Sequence, residues 1–410
     1  MKKIAVIGAG VTGVTTAYEL ARRGFAVTVF DRQRYAAMET SYANGGQLSV
    51  SNAETWTQWS TVLKGLKWMA RRDAPLLVSP RPEWRKIRWM MEFLTQIPNY
   101  RANTVETVRL ALKAREILKE TAARESIDFN HEGRGILHFY SNQHDLDHAR
   151  MVNEMLTEGG LERQELAGHE LRQIEPALTG DFIGGFYTPS DSSGDIHRFT
   201  MGLAKACTTM GVTFRFETGI EEARRDGRQI RLDTDKDESL VFNGVVICAG
   251  VRSPDFAKKF GDRVNIYPVK GYSVTINLPD EESRRAAPWV SLLDDQTKIV
   301  ASRLGEDRFR IAGTAEFSGY SKDIRDDRIR PLTKWSETYF PGISTETVVP
   351  WAGLRPMMPS MLPRVGAGSG PGVFYNTGHG HLGWTLSSAT SLMVSEVVAN
   401  SLGGAERVAA

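Results

Sequence analysis

Residues 3–31 read KIAVIGAGVTGVTTAYELARRGFAVTVFD and decide the fold of the first part of the chain. The β-branched run at 4–7 predicts a strand buried on both faces, as in a parallel sheet. A glycine-rich turn follows at 8–13, and the apolar spacing after it predicts a helix. A second strand then runs over 26–30 and ends on Asp31. This strand–turn–helix–strand order predicts a dinucleotide-binding unit.

Each glycine of the turn has a physical role in such a unit. Gly8 permits the tight turn, Gly10 lets a pyrophosphate approach the backbone, and Gly13 lets the helix pack closely on the strand. The N–H groups that open the helix carry a partial positive charge, which favours this anion. Asp31 follows the second strand, where a carboxylate can bind both hydroxyls of an adenosine ribose. A glycine turn in another kind of α/β protein is the alternative.

The composition limits the class of protein. The 410 residues, 41% of them hydrophobic, suffice for two domains with a large core. A net charge of +2, from 51 basic and 49 acidic residues, creates no global field that favours nucleic acid. Cys207 and Cys248 are too few for a disulfide framework, which indicates reduced thiols and a cytoplasmic protein. Because no apolar run approaches the roughly 20 residues of a spanning helix, we expect at most a peripheral position on the cytoplasmic face of a membrane.

The segment 56–91 differs in composition from the rest of the chain. It holds five of the nine tryptophans, and residues 64–88 carry eight basic against two acidic side chains. Basic residues beside tryptophan and leucine are typical of a segment that contacts anionic lipid at a membrane surface. The alternative, which composition alone favours, is a solvated insertion whose tryptophans pack on the core.

His144 and His148 lie one turn apart in a predicted helix over 143–158. Such a pair can bind a metal ion, but a protein site needs at least a third ligand and none is apparent. The neighbouring aspartates indicate an exposed polar face instead. We therefore predict no metal site.

Two later stretches return the chain to the first unit. Residues 244–250 predict a second buried parallel strand, and residues 372–378 predict a last strand before a helix. Between them, 266–350 alternates short strands with turns, as antiparallel sheets do. We predict an α/β fold with a Rossmann-like dinucleotide-binding domain and an inserted α+β substrate domain on a largely antiparallel sheet. The first domain comprises 1–55, 150–260 and 350–410, and the second comprises 56–149 and 261–349.

Five motifs occur in order along nearly the whole chain. They are GAGVTG at 8–13, SYANGGQLS at 41–49, VVICAG at 245–250, WAGLRPMMP at 351–359 and NTGHGHLGWT at 376–385. With these motifs the sequence resembles the D-amino acid oxidase superfamily of FAD-dependent oxidoreductases, and most of all its dehydrogenase branch. The first motif is generic to flavoproteins, whereas the combination is far more specific.

The resemblance implies an enzyme that oxidises D-amino acids by hydride transfer from Cα to flavin N5. The imino acid product would hydrolyse to a keto acid, and the electrons would pass to a quinone or another acceptor that is not oxygen. An alternative is a flavin oxidase, or a subunit of one, that acts on glycine, sarcosine or proline-type amines and produces hydrogen peroxide. A third interpretation is a non-catalytic regulator that binds a dinucleotide. Relatives that tether FAD use a cysteine in the C-terminal third, and none follows Cys248, so the resemblance implies non-covalent FAD.

The resemblance also implies which residues contact FAD. The pyrophosphate would lie over the glycine turn, the adenosine beside Asp31, and the ribityl chain along the loop at 41–47. Backbone N–H groups of 378–384 would face the flavin edge where negative charge develops on reduction. The cofactor-binding residues are Gly8, Gly10, Val11, Thr12, Gly13, Asp31, Arg32, Ser41, Asn44, Gly45, Gly46, Gln47, Ile220, Ala249, Gly250, Gly378, Gly380, His381, Leu382, Gly383 and Trp384.

Arg355, in the GLRP motif, is the first candidate for substrate binding. The resemblance implies that it binds the substrate carboxylate, which its planar donors suit through two parallel hydrogen bonds; a surface ion pair is the alternative. Tyr272 could supply a hydroxyl to the pocket wall, or it could be a core tyrosine. His379 would flank the flavin. Where some oxidases of the family carry a second arginine, this chain has His381, which leaves the side-chain pocket undefined.

Overall fold

A computed structural model describes residues 1–68 and 75–403 of the chain. In chain order, the strands are β1 (Lys3–Ile7), β2 (Ala26–Phe30), β3 (Gln47–Leu48), β4 (Leu76–Val78), β5 (Ile136–Tyr140), β6 (Gln164–Ala167), β7 (Gly184–Thr188), β8 (Ser192–Ser193), β9 (Thr213–Arg215), β10 (Ile220–Asp226), β11 (Gln229–Thr234), β12 (Ser239–Phe242), β13 (Gly244–Ile247), β14 (Tyr267–Asn277), β15 (Ser291–Asp294), β16 (Ile299–Arg303), β17 (Arg308–Phe317), β18 (Val348–Met357), β19 (Arg364–Ala367) and β20 (Val373–Thr377). The helices are α1 (Val11–Arg22), α2 (Trp59–Trp68), α3 (Trp84–Thr95), α4 (Tyr100–Arg124), α5 (Gln143–Glu158), α6 (Leu171–Ile174), α7 (Ile196–Thr209), α8 (Ser253–Lys259), α9 (Glu281–Ala286), α10 (Asp326–Tyr339) and α11 (Gly383–Leu402).

The first sheet has the strand order β19-β20-β13-β1-β2-β9. Its neighbours pair in parallel except at the edge, where β19 is antiparallel to β20. Val6 of β1 pairs with Val29 of β2 on one side and with Val246 of β13 on the other. The unbroken β-branched run of β1 is wholly buried because both faces of the sheet are covered. The predicted Rossmann-like unit is therefore confirmed.

Two layers cover this sheet. On one face, α1, α7 and α11 pack together through buried side chains such as Val14, Leu203 and Val394. On the other face, α8 and the antiparallel strands β10, β11 and β12 contribute Phe256 and Leu232 to a second core. The sheet is thus fixed from both sides, and its carboxyl edge presents the glycine turn between β1 and α1.

The second sheet has the strand order β18-β14-β17-β16-β15-β5-β7-β6, and β4 also pairs with β17. Its pairs are antiparallel except β15–β5 and β17–β4. Helix α10 covers one face, where Leu332 and Trp335 pack with Val274 and Ile311. The other face lines the cavity described below. The prediction of a second, largely antiparallel sheet is confirmed.

Strand pairing differs in two places from the domain boundaries predicted above. Strands β6 and β7 lie within 150–260, assigned to the dinucleotide-binding domain, but they belong with β5 to the second sheet. Strand β18 lies mostly within 350–410, yet it pairs with β14. Short strands carry little information about their partners, because pairing depends on cross-strand contacts with distant segments. The division into two domains stays a prediction, with these three strands corrected to the second sheet.

The segment 56–91 is partly anchored to the second sheet. Strand β4 pairs with β17, and Trp89 is buried, with its indole N–H donating to a backbone carbonyl of β18 at 2.8 Å. Arg71, Arg72 and Asp73, three charged members of this segment, lie outside the described residues. Trp89 therefore follows the interpretation that the tryptophans of the segment contact the core, whereas Trp59 and Trp84 are exposed.

Helix α3, which begins in this segment and continues to Thr95, also presents apolar side chains to solvent. Four of them recur every three or four residues on α3 and therefore share one side of the helix. We call these residues the apolar face: Trp84, Ile87, Met91 and Leu94. Trp84 is 71% and Met91 is 61% exposed. No helix in the described part of the chain is long and apolar enough to cross a bilayer.

Candidate active site

A cavity of about 1030 Å³ lies between the two sheets. Its walls come from the carboxyl ends of β1, β2 and β13, from one face of the second sheet, and from the start of α11. Every residue that the sequence placed in the site lines this cavity except Gly13 and Gly46. The fold thus brings motifs from both ends of the chain to one space.

Two of the three glycines of the turn, Gly8 and Gly13, have no room for a side chain. Gly8 has φ +107°, and a Cβ atom there would lie 2.5 Å from the carbonyl oxygen of Cys248. A Cβ atom on Gly13 would lie 1.8 Å from the carbonyl oxygen of Gly8. Gly10 precedes α1 without any side-chain cap. Gly8 and Gly10 therefore expose backbone to the cavity, whereas Gly13 acts by letting the helix approach the strand.

The N-terminus of α1 and the end of β2 form the nucleotide end of the cavity. The N–H of Val11 donates to Ser41 Oγ at 3.0 Å, which fixes the loop after β2 against the helix. The carboxylate of Asp31 accepts the N–H of Ala9 at 2.7 Å and that of Gln33 at 2.8 Å, and burial raises its pKa. A carboxylate has roughly four acceptor positions, so two stay open to hydroxyl groups in the cavity.

Residues before β10 complete this end, and sequence reasoning missed two of them. Ile220 lines the cavity as predicted, but Thr218 and Gly219 line it too. The N–H of Thr218 donates to the carbonyl of Asp31 at 2.9 Å, which places this stretch beside the end of β2. Arg32 is exposed at the rim. The glycine at 219 was the available signal for backbone near a ligand.

The loop at 41–47 lies against the second sheet. Asn44 Oδ1 accepts the N–H of Gly46 at 3.0 Å, and Gly46 has φ +74°. A Cβ atom on Gly45 would lie 2.5 Å from a methyl group of Val300, so a side chain has no room there. Gln47 donates through Nε2 to a carbonyl of β15 at 2.9 Å. The loop therefore crosses from the first sheet to the second with its backbone along the cavity.

The histidines before α11 are neutral and fixed by hydrogen bonds. His379 Nε2 lies 2.9 Å from Thr390 Oγ1, and burial lowers the pKa of His379 to about 3. His381 Nε2 lies 3.3 Å from the carbonyl oxygen of Asn52, and its ring stacks on Trp56 with centroids 4.9 Å apart. Burial, with the charge of Arg355 as a second cause, lowers the pKa of His381 to about 4. Neither ring carries charge near neutral pH.

Arg355 is a half-buried cation on the cavity wall. Its Nη1 donates to the carbonyl oxygen of Thr314 at 3.0 Å. Burial alone lowers the pKa of Arg355 to about 10, and no carboxylate among the described residues pairs with it. Burying a guanidinium is costly unless an anion accompanies it. The remaining donors of Arg355 therefore suit a ligand carboxylate, and the alternative of a surface ion pair does not hold.

The hydroxyl of Tyr272 does not point into the cavity as a substrate-binding hydroxyl would; it is bonded within the protein. Tyr272 contributes to the cavity wall, but its hydroxyl donates to Glu316 Oε2 at 2.7 Å within the protein. Gly271, next to it in β14, faces Arg355 instead, because adjacent strand residues point to opposite sides. The ring of Tyr272 packs in the core under α10. This geometry favours the core-tyrosine alternative over a role at the substrate.

Sequence reasoning missed a group of polar residues that also lines the cavity. We call it the polar pocket, and it comprises Glu54, His138, Tyr140, Asp295 and Lys298. Asp295 accepts the hydroxyl of Tyr140 at 2.7 Å and pairs with Lys298 at 2.9 Å. The one signal in sequence was a buried strand, β5, with His138 and Tyr140 at alternate positions.

No group of three or more His, Cys, Asp or Glu residues suited to a metal occurs within 1–68 and 75–403.

Comparison with known proteins assigns the site to a family. The sequence matches the family described as FAD dependent oxidoreductase over residues 3–397. It is 60% identical to D-amino acid dehydrogenase 3 of Mesorhizobium japonicum, with 100% of both chains covered. It is 40% identical to the D-amino acid dehydrogenase of Paramagnetospirillum magneticum, with 97% of this chain and 94% of that one covered. Glycine oxidase from Geobacillus kaustophilus superposes with a TM-score of 0.78 at 22% identity, over 98% of this chain and 96% of that one. The chain therefore belongs to the DAO family of FAD-dependent oxidoreductases.

The residues of the cavity fit FAD. The side-chain-free turn at Gly8 and Gly10, at a helix N-terminus, suits a pyrophosphate. The open acceptor positions of Asp31 suit ribose hydroxyls. The second helix start, at Gly383, lies on the cavity wall, and its N–H groups and partial positive charge would stabilise an electron-rich ring edge there.

Proposed function

We propose that the protein oxidises D-amino acids to imino acids, which hydrolyse to keto acids, and passes the electrons to a quinone or another acceptor that is not oxygen. The observation that carries this proposal is the half-buried guanidinium of Arg355 on the cavity wall, which has no carboxylate partner within the described ranges. The α-carboxylate of an amino acid supplies that partner. The names of the relatives at 60% and 40% identity support the D-configuration and the dehydrogenase type.

The chain's own residues bind and orient the substrate in this proposal. Arg355 holds the carboxylate in two parallel hydrogen bonds, and the neutral His381 adds no second positive charge beside the substrate amine. A bound FAD would supply the acceptor for the hydride from Cα. We propose non-covalent FAD because Cys248, the one cysteine on the described cavity wall, lies beside Gly8 at the nucleotide end. Positioning supplies much of the rate in such a reaction.

The acceptor would approach through the segment 56–91. Part of the cavity wall consists of apolar residues of this segment, of α3 and of β17, including Val62, Leu76, Phe93 and Phe317. The apolar face lies on the same helix, α3, with the basic residues Arg85 and Arg88 beside it. A lipophilic quinone and an anionic membrane surface match this combination. We propose that the protein binds the cytoplasmic face of a membrane through this surface.

Anaerobic spectroscopy tests the proposed reaction. The purified protein is expected to be yellow, and its flavin absorbance should bleach with D-amino acids and not with their L-enantiomers. In air, turnover should reduce an artificial acceptor such as a quinone analogue much faster than it forms hydrogen peroxide. Bleaching by sarcosine or glycine alone, with stoichiometric peroxide, would instead establish the oxidase alternative.

A further inference from the structure

One face of the second sheet carries both Arg355 and the polar pocket. Arg355 lies on β18 and its guanidinium reaches Thr314 on β17. Strand β16 is the neighbour of β17 in the sheet, and Lys298 directly precedes it. The backbone of Lys298 lies close to Gly313 of β17, since a Cβ atom on Gly313 would be 3.3 Å from the carbonyl oxygen of Lys298. Neighbouring strands lie about 4.8 Å apart, so a short side chain can bridge from the guanidinium to the position of Lys298. Both charged groups therefore line the one cavity, and Lys298 lies one strand beyond the carbonyl that Arg355 contacts.

The ammonium group of Lys298 has hydrogen-bond donors that are not used within the described part of the protein. Its ammonium pairs with Asp295 Oδ1 at 2.9 Å, its one ion pair among the described residues. The Lys298 side chain is 51% exposed, and it lines the cavity. An ammonium has three donors, so two remain for a ligand. This pocket therefore offers donors to an oxygen atom.

The same pocket also offers acceptors. Asp295 is oriented by Tyr140 and by His138 Nδ1 at 3.4 Å. Glu54 is oriented by the hydroxyl of Tyr100 at 2.6 Å. Burial lowers the pKa of Lys298, but the charges of Asp295 and Glu54, which line the same cavity, together raise it more. Charges of both signs thus line the pocket in fixed positions.

This arrangement discriminates among side chains by charge. A terminal ammonium can bond to the carboxylates but then lies beside Lys298, and a terminal carboxylate can bond to Lys298 but then lies beside Asp295 and Glu54, so each brings like charges together in a low-dielectric space. An uncharged group that both accepts and donates can bond to Lys298 and to a carboxylate at once. A terminal methyl group excludes water from the open donors of Lys298 without replacing its hydrogen bonds, which costs binding energy.

We propose that Lys298, with Asp295 and Glu54, forms the side-chain subsite and selects D-amino acids whose side chain ends in an uncharged polar group such as a carboxamide. The inference rests on the proposed function and names its substrate class. Lys298 is a specificity-determining residue in this proposal, and the carboxylate stays with Arg355.

Four five-carbon substrates that differ only at the side-chain end test this: D-glutamine, D-norvaline, D-glutamate and D-ornithine. With the holoenzyme, kcat/KM for D-glutamine should exceed that for each of the others by about tenfold or more. In Lys298→Met, the ratio of kcat/KM for D-glutamine to that for D-norvaline should fall to about one. Lys298→Arg should keep most of the preference, and Lys334→Met, at an exposed site on α10, should keep all of it.

Flavin absorbance and thermal midpoint of each variant show whether it is folded and loaded. A wild-type ratio near one, a preference for D-glutamate or D-ornithine, or a preference that survives in Lys298→Met would overturn the inference. In each of these cases D-amino acids are still oxidised, so the proposed function stands. If none of the four D-amino acids bleaches the flavin while sarcosine does, the proposed function itself fails.

Discussion

Gly271 of β14 lies directly beneath the guanidinium of Arg355, on the neighbouring strand β18. A Cβ atom on Gly271 would lie 2.4 Å from Nη2 of Arg355 and 2.5 Å from its Cζ. Gly271 pairs with Gly353 in the register of the two strands, so the guanidinium lies across backbone that carries no side chain. The position of the proposed carboxylate anchor therefore depends on the absence of a methyl group.

The first prediction follows from this contact. Gly271→Ala should displace the end of the Arg355 side chain, which is flexible enough to move without unfolding the protein. We expect kcat/KM for D-amino acids to fall about 10- to 100-fold while FAD content stays normal, since charge-assisted hydrogen bonds contribute about 1.5–3 kcal/mol each. Gly133→Ala is the matched control, because the nearest atom to its Cβ would be 3.8 Å away. Unchanged kinetics in Gly271→Ala would show that the guanidinium does not need this position.

The second prediction concerns the nucleotide end. Asp31→Asn places an amide donor against the N–H of Ala9 or of Gln33, both of which the native carboxylate accepts. We expect FAD affinity to fall about tenfold or more, measured by fluorescence titration of the apoprotein, with kcat at saturating FAD nearly retained. Gln33→Ala at the same turn should have a smaller effect, because Asp31 accepts only the backbone N–H of Gln33, whose side chain donates to Glu39 instead. Equal affinity for FAD in Asp31→Asn and wild type would contradict the assignment.

The third prediction concerns stability against pH. The pKa of His379 is lowered by burial to about 3, whereas a histidine in the unfolded chain titrates near 6.5. Between these values the unfolded state binds more protons, so stability rises with pH and is lost as pH falls below about 6.5. For this one residue, the loss from pH 7 to pH 5 is about 2 kcal/mol.

His379→Gln, which can still hydrogen-bond Thr390, should therefore lose about 2 kcal/mol less than wild type between pH 7 and pH 5. Urea unfolding of the two proteins at both pH values, with saturating FAD, measures this difference. His144→Gln, on the exposed surface of α5, should follow the wild type. The same pH dependence in wild type and His379→Gln would mean that His379 accepts a proton in the fold at ordinary pH.

The fourth prediction concerns the apolar face. Replacing Trp84 and Met91 together by serine should reduce binding to vesicles of anionic phospholipid by about tenfold or more, because each exposed side chain would bury apolar area in the lipid. Met151→Ser, on α5, is the matched control, since Met151 is 58% exposed elsewhere. Flotation assays measure the bound fraction. If the wild-type protein does not float with the vesicles, or if the double variant floats as well as wild type, this surface does not bind the membrane.

The nucleotide end could be predicted from sequence because its parts are contiguous. The turn at Gly8–Gly13 and the acid at Asp31 lie within one strand–helix–strand unit, where local rules determine geometry. The family resemblance then linked the loop at 41–47 and the stretch at 378–384, and the structure places both along the same cavity.

The substrate end could be predicted only in part. Arg355 was marked by its motif, but whether Gly271 or Tyr272 faces it depends on the register of β14 and β18, which the sequence does not reveal. The polar pocket draws Lys298 and His138 from segments without motifs, so only the pairing of β15 with β5 brings them together. For the same reason β7 was assigned to the wrong sheet.

The most direct test of the account is an anaerobic titration of flavin absorbance in wild type and Arg355→Leu with a D-amino acid that wild type oxidises. Both proteins should be yellow, and the variant should need at least about 100-fold more substrate to bleach, because the carboxylate loses its guanidinium partner. Bleaching at the same concentration in both proteins, or a colourless wild type that takes up no FAD, would contradict it.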